Sequence, residues 1–249
     1  MRRRHFLVLS AASVGGVIVY SLDRNVSRLS AQDKSAVAKA DKSGKAAPST
    51  TIRIPLRFFT ESEAAIVAAA ASRIFPADDA GPGAHEAGVV VFIDRQLAGA
   101  FGDSRDLFMR PPFARGTPRQ GPQSSIVPRE SYRASLAALD GYCKATFAGK
   151  AFATLDGVRQ DHVLTGLENG EIRYPDGDGK AFFEMILANT IEGFFADPVY
   201  GGNRDMVGWK LIGFPGARYD QTEFVTQYGA PYPLPPVGLA GRPGWNGKG

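Results

Sequence analysis

Cysteine is nearly absent from this 249-residue chain, which has Cys143 alone, and histidine is scarce, with His5, His85 and His162. A protein-held iron–sulfur cluster takes about four cysteines, and a covalent c-type haem takes Cys-x-x-Cys-His. Neither can be built here. A zinc site from His5, His85 and Cys143 fails as well, because His5 lies in an N-terminal leader. The phosphate-cradling Gly-x-x-x-x-Gly-Lys-Ser/Thr, the dinucleotide Gly-x-Gly-x-x-Gly, the hydrolase Gly-x-Ser-x-Gly and the zincin His-Glu-x-x-His are all missing. The net charge of +4 suggests a polyanion partner until its distribution is read. Residues 1–40 hold seven Lys/Arg and two acids, whereas the rest holds 22 bases and 23 acids. The basicity belongs to the leader, which argues against a nucleic-acid partner.

The front of the chain reads as an export signal. Arg3, Arg4, Phe6 and Leu7 form the Arg-Arg-x-Phe-Leu core of a twin-arginine leader, with Arg2 where a Ser or Thr usually stands. An uncharged run from Phe6 to Leu22 follows, weakened by Ser10, Ser13, Gly15, Gly16 and Ser21. It is short and only mildly apolar for a membrane span, although an N-terminal anchor is the alternative reading. The twin-arginine route carries folded cargo, so the expected location is the periplasm.

Beyond the leader the expected class is mainly α: one irregular helical domain with long extended loops and a Pro/Gly-rich C-terminal arm. Residues 1–40 are signal and tether, 41–56 a linker, 57–223 the helical domain and 224–249 the extended arm. Thr60 with Glu63 forms a capping box for a first helix, whose inward residues are Ile66, Val67, Ala70 and Ile74. A second helix is expected over 85–97 with Val89, Val90, Ile93 and Leu97 inward. A third is expected over 130–147, striped by Tyr132, Leu136, Leu139, Cys143 and Phe147. A fourth spans 157–167, and a fifth, 180–195, stops before Asp197-Pro198. Between the second and third lies a long connection, 102–129, with five prolines and five arginines interleaved. It is either a solvated loop or an arm that docks on a partner. After residue 197 the Gly/Pro-rich texture predicts extended chain without regular helix.

Candidate chemistry is thin. His162 beside Asp161 could act as a general base, but no nucleophile is positioned near it in the sequence. Glu184 and Glu192 lie two helical turns apart and cannot share a proton. The distinctive stretch is Glu192-Gly-Phe-Phe-Ala-Asp-Pro-Val-Tyr-Gly-Gly-Asn203, followed by Gly208-Trp-Lys-Leu-Ile-Gly-Phe-Pro-Gly216. The pair Gly201 and Gly202 permits positive φ and close backbone approach, Asn203 can bond to its own turn, and Trp209 adds a broad apolar plate.

That stretch resembles the signature of the gluconate 2-dehydrogenase subunit 3 family, the small subunit of membrane-bound flavin-dependent dehydrogenases. Pro82-Gly-Ala-His-Glu-Ala-Gly-Val89, leading to Phe92-Ile-Asp-Arg-Gln-Leu97, resembles the family's earlier block. The resemblance implies a complex bound to the inner membrane through its other parts. Those parts are a large FAD-binding subunit that oxidises a sugar or sugar acid, and a multihaem cytochrome c that passes electrons to quinone. It implies no cofactor and no catalytic residue in this chain, which assists folding and export of the flavoprotein. The alternative from the residues alone is a stand-alone periplasmic sugar-binding protein whose Gly-Gly-Asn corner and aromatics hold the ligand. Two site expectations accompany the leading reading. Gly201, Gly202, Asn203, Trp209, Gly213 and Pro215, with the tail after Phe224, meet a partner, unless Trp209 lies in the chain's own core. Cys143 is either a buried thiol or half of an intersubunit disulfide, and the disulfide is the expectation stated.

Overall fold

The computed structural model describes residues 54–107, 109–114, 116–117, 124–174, 178–218 and 220–241. The leader residues Arg3, Arg4, Phe6 and Leu7 lie outside them. Six α-helices occur among the described residues: α1 Glu61–Ile74, α2 Val89–Ala98, α3 Pro128–Thr146, α4 Gly157–Glu168, α5 Gly179–Phe195 and α6 Val207–Ile212. Only two isolated β-bridges accompany them, so the expected mainly α class is what the chain adopts.

Local sequence explains most of the helix ends. The capping box forms as read: the Glu63 amide donates to Thr60 Oγ1 at 3.2 Å, and the Thr60 amide donates to Glu63 Oε2 at 2.8 Å. Helix α3 begins two residues earlier than expected because Pro128 is well suited to a first helical position, where no amide is needed. Asp156 caps α4 by accepting from the Arg159 amide, and Asp178 caps α5 by accepting from the Lys180 and Ala181 amides. The second helix is shorter than its apolar pattern. Gly88 takes φ of 72°, a left-handed conformation that stops the helix from reaching back to His85.

Helix α5 is the centre of the packing, touching α1, α2, α3, α4 and α6. Its buried residues Phe182, Phe183, Ile186, Thr190 and Phe194 lie on more than one face, as expected of an element surrounded by others. The inward side of α1 buries Ile66, Val67, Ala70, Ala71 and Ile74, the four read from sequence plus one more alanine. Phe75 from α1's C-terminal end lies 4.0 Å from Phe194 between ring centroids. Across the core, the hydroxyl of the fully buried Tyr132 donates to Asn189 Oδ1 at 2.8 Å. Burial pushes that phenol's pKa up. Arg73 of α1 grips Asp161 of α4 through two hydrogen bonds, Nε to Oδ1 at 2.7 Å and Nη2 to Oδ2 at 2.6 Å.

The ends of the long connection are pinned together. Arg129 donates from its amide to the Gly102 oxygen at 3.2 Å, and its guanidinium meets Asp103 at 2.8 Å and the Leu97 oxygen at 3.1 Å. Residues 108, 115 and 118–123 of this connection lie outside the described residues.

The tail departs from expectation in two respects. A sixth helix, α6, forms where only extended chain was read, and the tail beyond it turns back instead of leaving the domain. Ala217 donates to the Val237 oxygen at 2.7 Å, Val237 donates to the Pro215 oxygen at 3.2 Å, and the Leu239 amide donates to Asp197 Oδ2 at 2.7 Å. Val237 is buried, while Tyr228 stands at the outside of the closed loop at 90% exposure. Here Phe224 packs edge-on against Tyr232 at 4.6 Å.

Candidate functional site

The distinctive stretch folds into a corner on the C-terminal end of α5. An α-helix leaves its last carbonyls without intrahelical donors, and buried carbonyls need partners. The corner supplies them. Trp209 Nε1 donates to the Phe195 oxygen at 2.7 Å, and Asn203 Nδ2 donates to the Ala196 oxygen at 2.8 Å. Asn203 Oδ1 then accepts from the Gly208 amide at 2.8 Å, which fixes the start of α6. Asn203 sits at φ of 46° with no exposed surface, a left-handed position that asparagine tolerates better than most residues. One side chain thus caps one helix and orients the next.

Glycine makes the closeness possible. A β-carbon on Gly202 would strike the Gly193 carbonyl oxygen, and one on Gly208 would strike that of Phe194. Gly193 in turn lies against the Phe92 ring, where an added β-carbon would come to 2.8 Å. The corner also reaches the earlier block of the sequence. The Arg204 amide donates to the Ala87 oxygen at 3.0 Å, and Gly201 lies beside Val91 and Arg95 of α2. The two stretches that carry the resemblance, more than a hundred residues apart at their starts, meet in one place.

Of the six residues expected at a partner surface, Gly202, Asn203 and Trp209 are buried in the chain's own fold, Gly201 and Pro215 are half-buried, and Gly213 is exposed. Trp209 is an internal plate, 5% exposed and edge-on to Phe214, as in the alternative that places it in the chain's own core. The corner turns outward two large apolar side chains, Ile212 at 60% and Phe214 at 44% exposure, beside the exposed Arg204, Asp205 and Lys210.

Cys143 also lies inside, with no exposed surface and within the main core. A disulfide requires sulfur atoms about 2.05 Å apart. A thiol enclosed by its own helices matches the first of the two readings, the buried thiol. Burial, helped by the nearby Asp140 carboxylate, pushes the thiol up to about 12. Since the thiolate is the nucleophile, alkylation by iodoacetamide at pH 8 is expected to run roughly a thousandfold slower in the folded chain than after unfolding in urea. Mass spectrometry of the quenched reaction reads the difference, and equal rates would contradict the burial.

His162 is exposed on α4, and the neighbouring Asp161 is held by Arg73 rather than turned to the imidazole. Glu184 is exposed; Glu192 accepts from Asn189 Nδ2 at 3.1 Å. One residue that sequence reading passed over proves central to the fold. Asp94, 1% exposed on α2, accepts the amides of Arg57, Phe58 and Phe59 at 2.7, 3.0 and 2.9 Å. A lone acid among the inward residues of Val89–Ala98 was the available signal.

Residues 61–216, from the start of α1 to the last glycine of the corner, match the family described as gluconate 2-dehydrogenase subunit 3. The chain belongs to this family. Comparison with curated proteins found no match, and comparison with solved structures found none either. The matched span contains all six helices and both stretches that meet at the corner, so the family's sequence pattern coincides with a packing unit. The family is that of a subunit, which makes its members components of a multi-subunit dehydrogenase. Among the described residues no helix is long and apolar enough to cross a membrane.

Proposed function

We propose that this subunit 3 chain is a non-catalytic partner of a large FAD-binding dehydrogenase subunit. It binds the folded flavoprotein in the cytoplasm, lends it the twin-arginine leader and stays bound in the periplasm. There the flavoprotein oxidises a sugar or sugar acid of the gluconate type and passes electrons through a multihaem cytochrome c to quinone. The complex is held at the inner membrane through its other parts. The observation that carries this reading is the family match across the whole helical domain. The geometry of the corner agrees with it, since Asn203 and Trp209 turn their polar atoms to the chain's own backbone. A stand-alone sugar-binding protein would need those groups for its ligand.

Changing Arg3 and Arg4 together to lysine is expected to leave both this chain and the flavoprotein in the cytoplasm, with periplasmic flavin-linked dehydrogenase activity lost. Cell fractionation with immunoblots for both chains reads the result. A flavoprotein that still reached the periplasm with its flavin would contradict the escort role.

A further inference from the structure

Two arginines lie over glycines at the corner. The Arg95 side chain of α2 crosses Gly201, so close that a β-carbon there would come to 2.8 Å from Nη1. The Arg204 guanidinium covers Gly88, where a β-carbon would come to 3.1 Å from Nη2 and 3.4 Å from the Gly201 oxygen. Gly88 and Gly201 have φ of 72° and 106°, so glycine serves both the turn and the cation seated on it. Arg204 also stands on a fixed backbone. Its amide donates to the Ala87 oxygen, and Asn203, Asp205 and Met206 around it have φ of 46°, 56° and 56°. Residues with a β-carbon keep that conformation only where their surroundings impose it.

Among the described residues Arg73, Arg105, Arg129, Arg133 and Arg159 each meet a carboxylate, and Arg95 and Arg204 meet none. The acids close to them in sequence are engaged elsewhere. Asp94 takes the amides of Arg57, Phe58 and Phe59, Glu86 that of Gly83, and Asp197 those of Val199 and Leu239. Asp205 is exposed and forms no ion pair with Arg204. The chain's ends are a poor source of the missing anion: residues 1–53 carry ten Lys/Arg against three acids, and residues 242–249 carry two against none. A second copy, in a two-fold contact, would bring the same cations to the same place. Beside Gly201, Val199 and Tyr200 are 51% and 50% exposed.

We infer that Arg95, Arg204 and Tyr200 form a contact surface for an acidic segment of the large flavoprotein subunit, with each guanidinium taking an aspartate or glutamate of that subunit. A guanidinium fork matches a carboxylate in two parallel hydrogen bonds, and one already seated loses little freedom on binding. Arginine and tyrosine are also frequent energetic centres of interfaces. The identity of the partner rests on the subunit reading above; the two seated cations do not.

The test uses the complex purified from membranes through a tag on this chain, with its dissociation on dilution followed by analytical ultracentrifugation. Arg204→Glu is expected to weaken association about tenfold, and Arg95→Glu combined with Arg204→Glu about a hundredfold, in chains that melt as the wild type does. Arg173→Glu is the control, an exposed change ahead of α5 at the end away from the corner, and is expected to leave association unchanged. A second measurement uses Arg204→Lys, which keeps the charge and supplies an amine for zero-length carbodiimide coupling. Mass spectrometry is expected to find position 204 joined to an aspartate or glutamate of the large subunit. Should the double variant fail to fold, Arg204→Glu and the coupling carry the result. A complex that forms normally in the wild type and is equally tight in folded Arg204→Glu would overturn the surface alone. So would coupling only to a second copy or to an acid of the same chain. A wild-type chain that brings no flavoprotein from the membranes would overturn the subunit reading itself.

Discussion

Gly202→Ala is expected to destabilise the domain by about 3 kcal/mol or more, lowering its melting temperature by roughly 6–12 °C. The added β-carbon would meet the Gly193 carbonyl oxygen, which is backbone and cannot swing aside as a side chain could. Gly193 is itself pressed on Phe92, so the strain passes to α2 rather than dissipating at the surface. Gly141→Ala is the control. Gly141 lies within α3 with open space where a β-carbon would go, and helix propensity predicts a gain of about 0.5–1 kcal/mol there. Thermal melts of both variants by circular dichroism separate a specific steric conflict from a general intolerance of change. Equal, small shifts would mean that the corner is looser than its geometry.

Trp209→Ala is expected to cost about 3–5 kcal/mol, in the range for emptying a buried aromatic site. Two losses combine: the apolar plate against Phe214 and Gly216, and the indole N–H that satisfies the Phe195 oxygen. Trp209→Phe keeps most of the ring volume and removes the donor, so it is expected to retain part of the stability and isolate the capping contribution. Urea unfolding of the isolated chain measures both. An isolated chain indifferent to Trp209→Ala, with weakened assembly into the complex, would return Trp209 to the partner surface.

The helices that were legible share one property, a long apolar period with a clear cap. Ile66, Val67, Ala70 and Ile74 behind the Thr60 box, or Tyr132, Leu136, Leu139 and Cys143 along α3, define a face over three turns or more. Helix α6 has six residues and is bounded by Gly213, so no period can develop, and only the tertiary bond from Asn203 marks where it starts. The corner was visible as a motif, but its direction was not. A tryptophan among glycines reads the same whether it faces inward or outward, and burial here is decided by the end of α5, a neighbour only in space. Cys143 poses the same ambiguity: the stripe places it on an apolar face, and only the fold identifies that face with the chain's own core. Asp94 was illegible for a related reason. A single acid in an apolar helix is explained by the three amides it collects, and these come from a segment that has no periodic signal of its own.

The central claim is that this chain is a stable partner of a flavoprotein and carries no flavin itself. The direct measurement is purification of the tagged chain from membranes of cells expressing it from its native locus, followed by a visible spectrum and mass spectrometry of the eluate. The expected eluate holds a large co-eluting subunit with flavin in proportion to it and c-type haem in a second partner, and the chain made alone is expected to be colourless. A chain that elutes by itself from such membranes, or one that binds flavin when made alone, would contradict it.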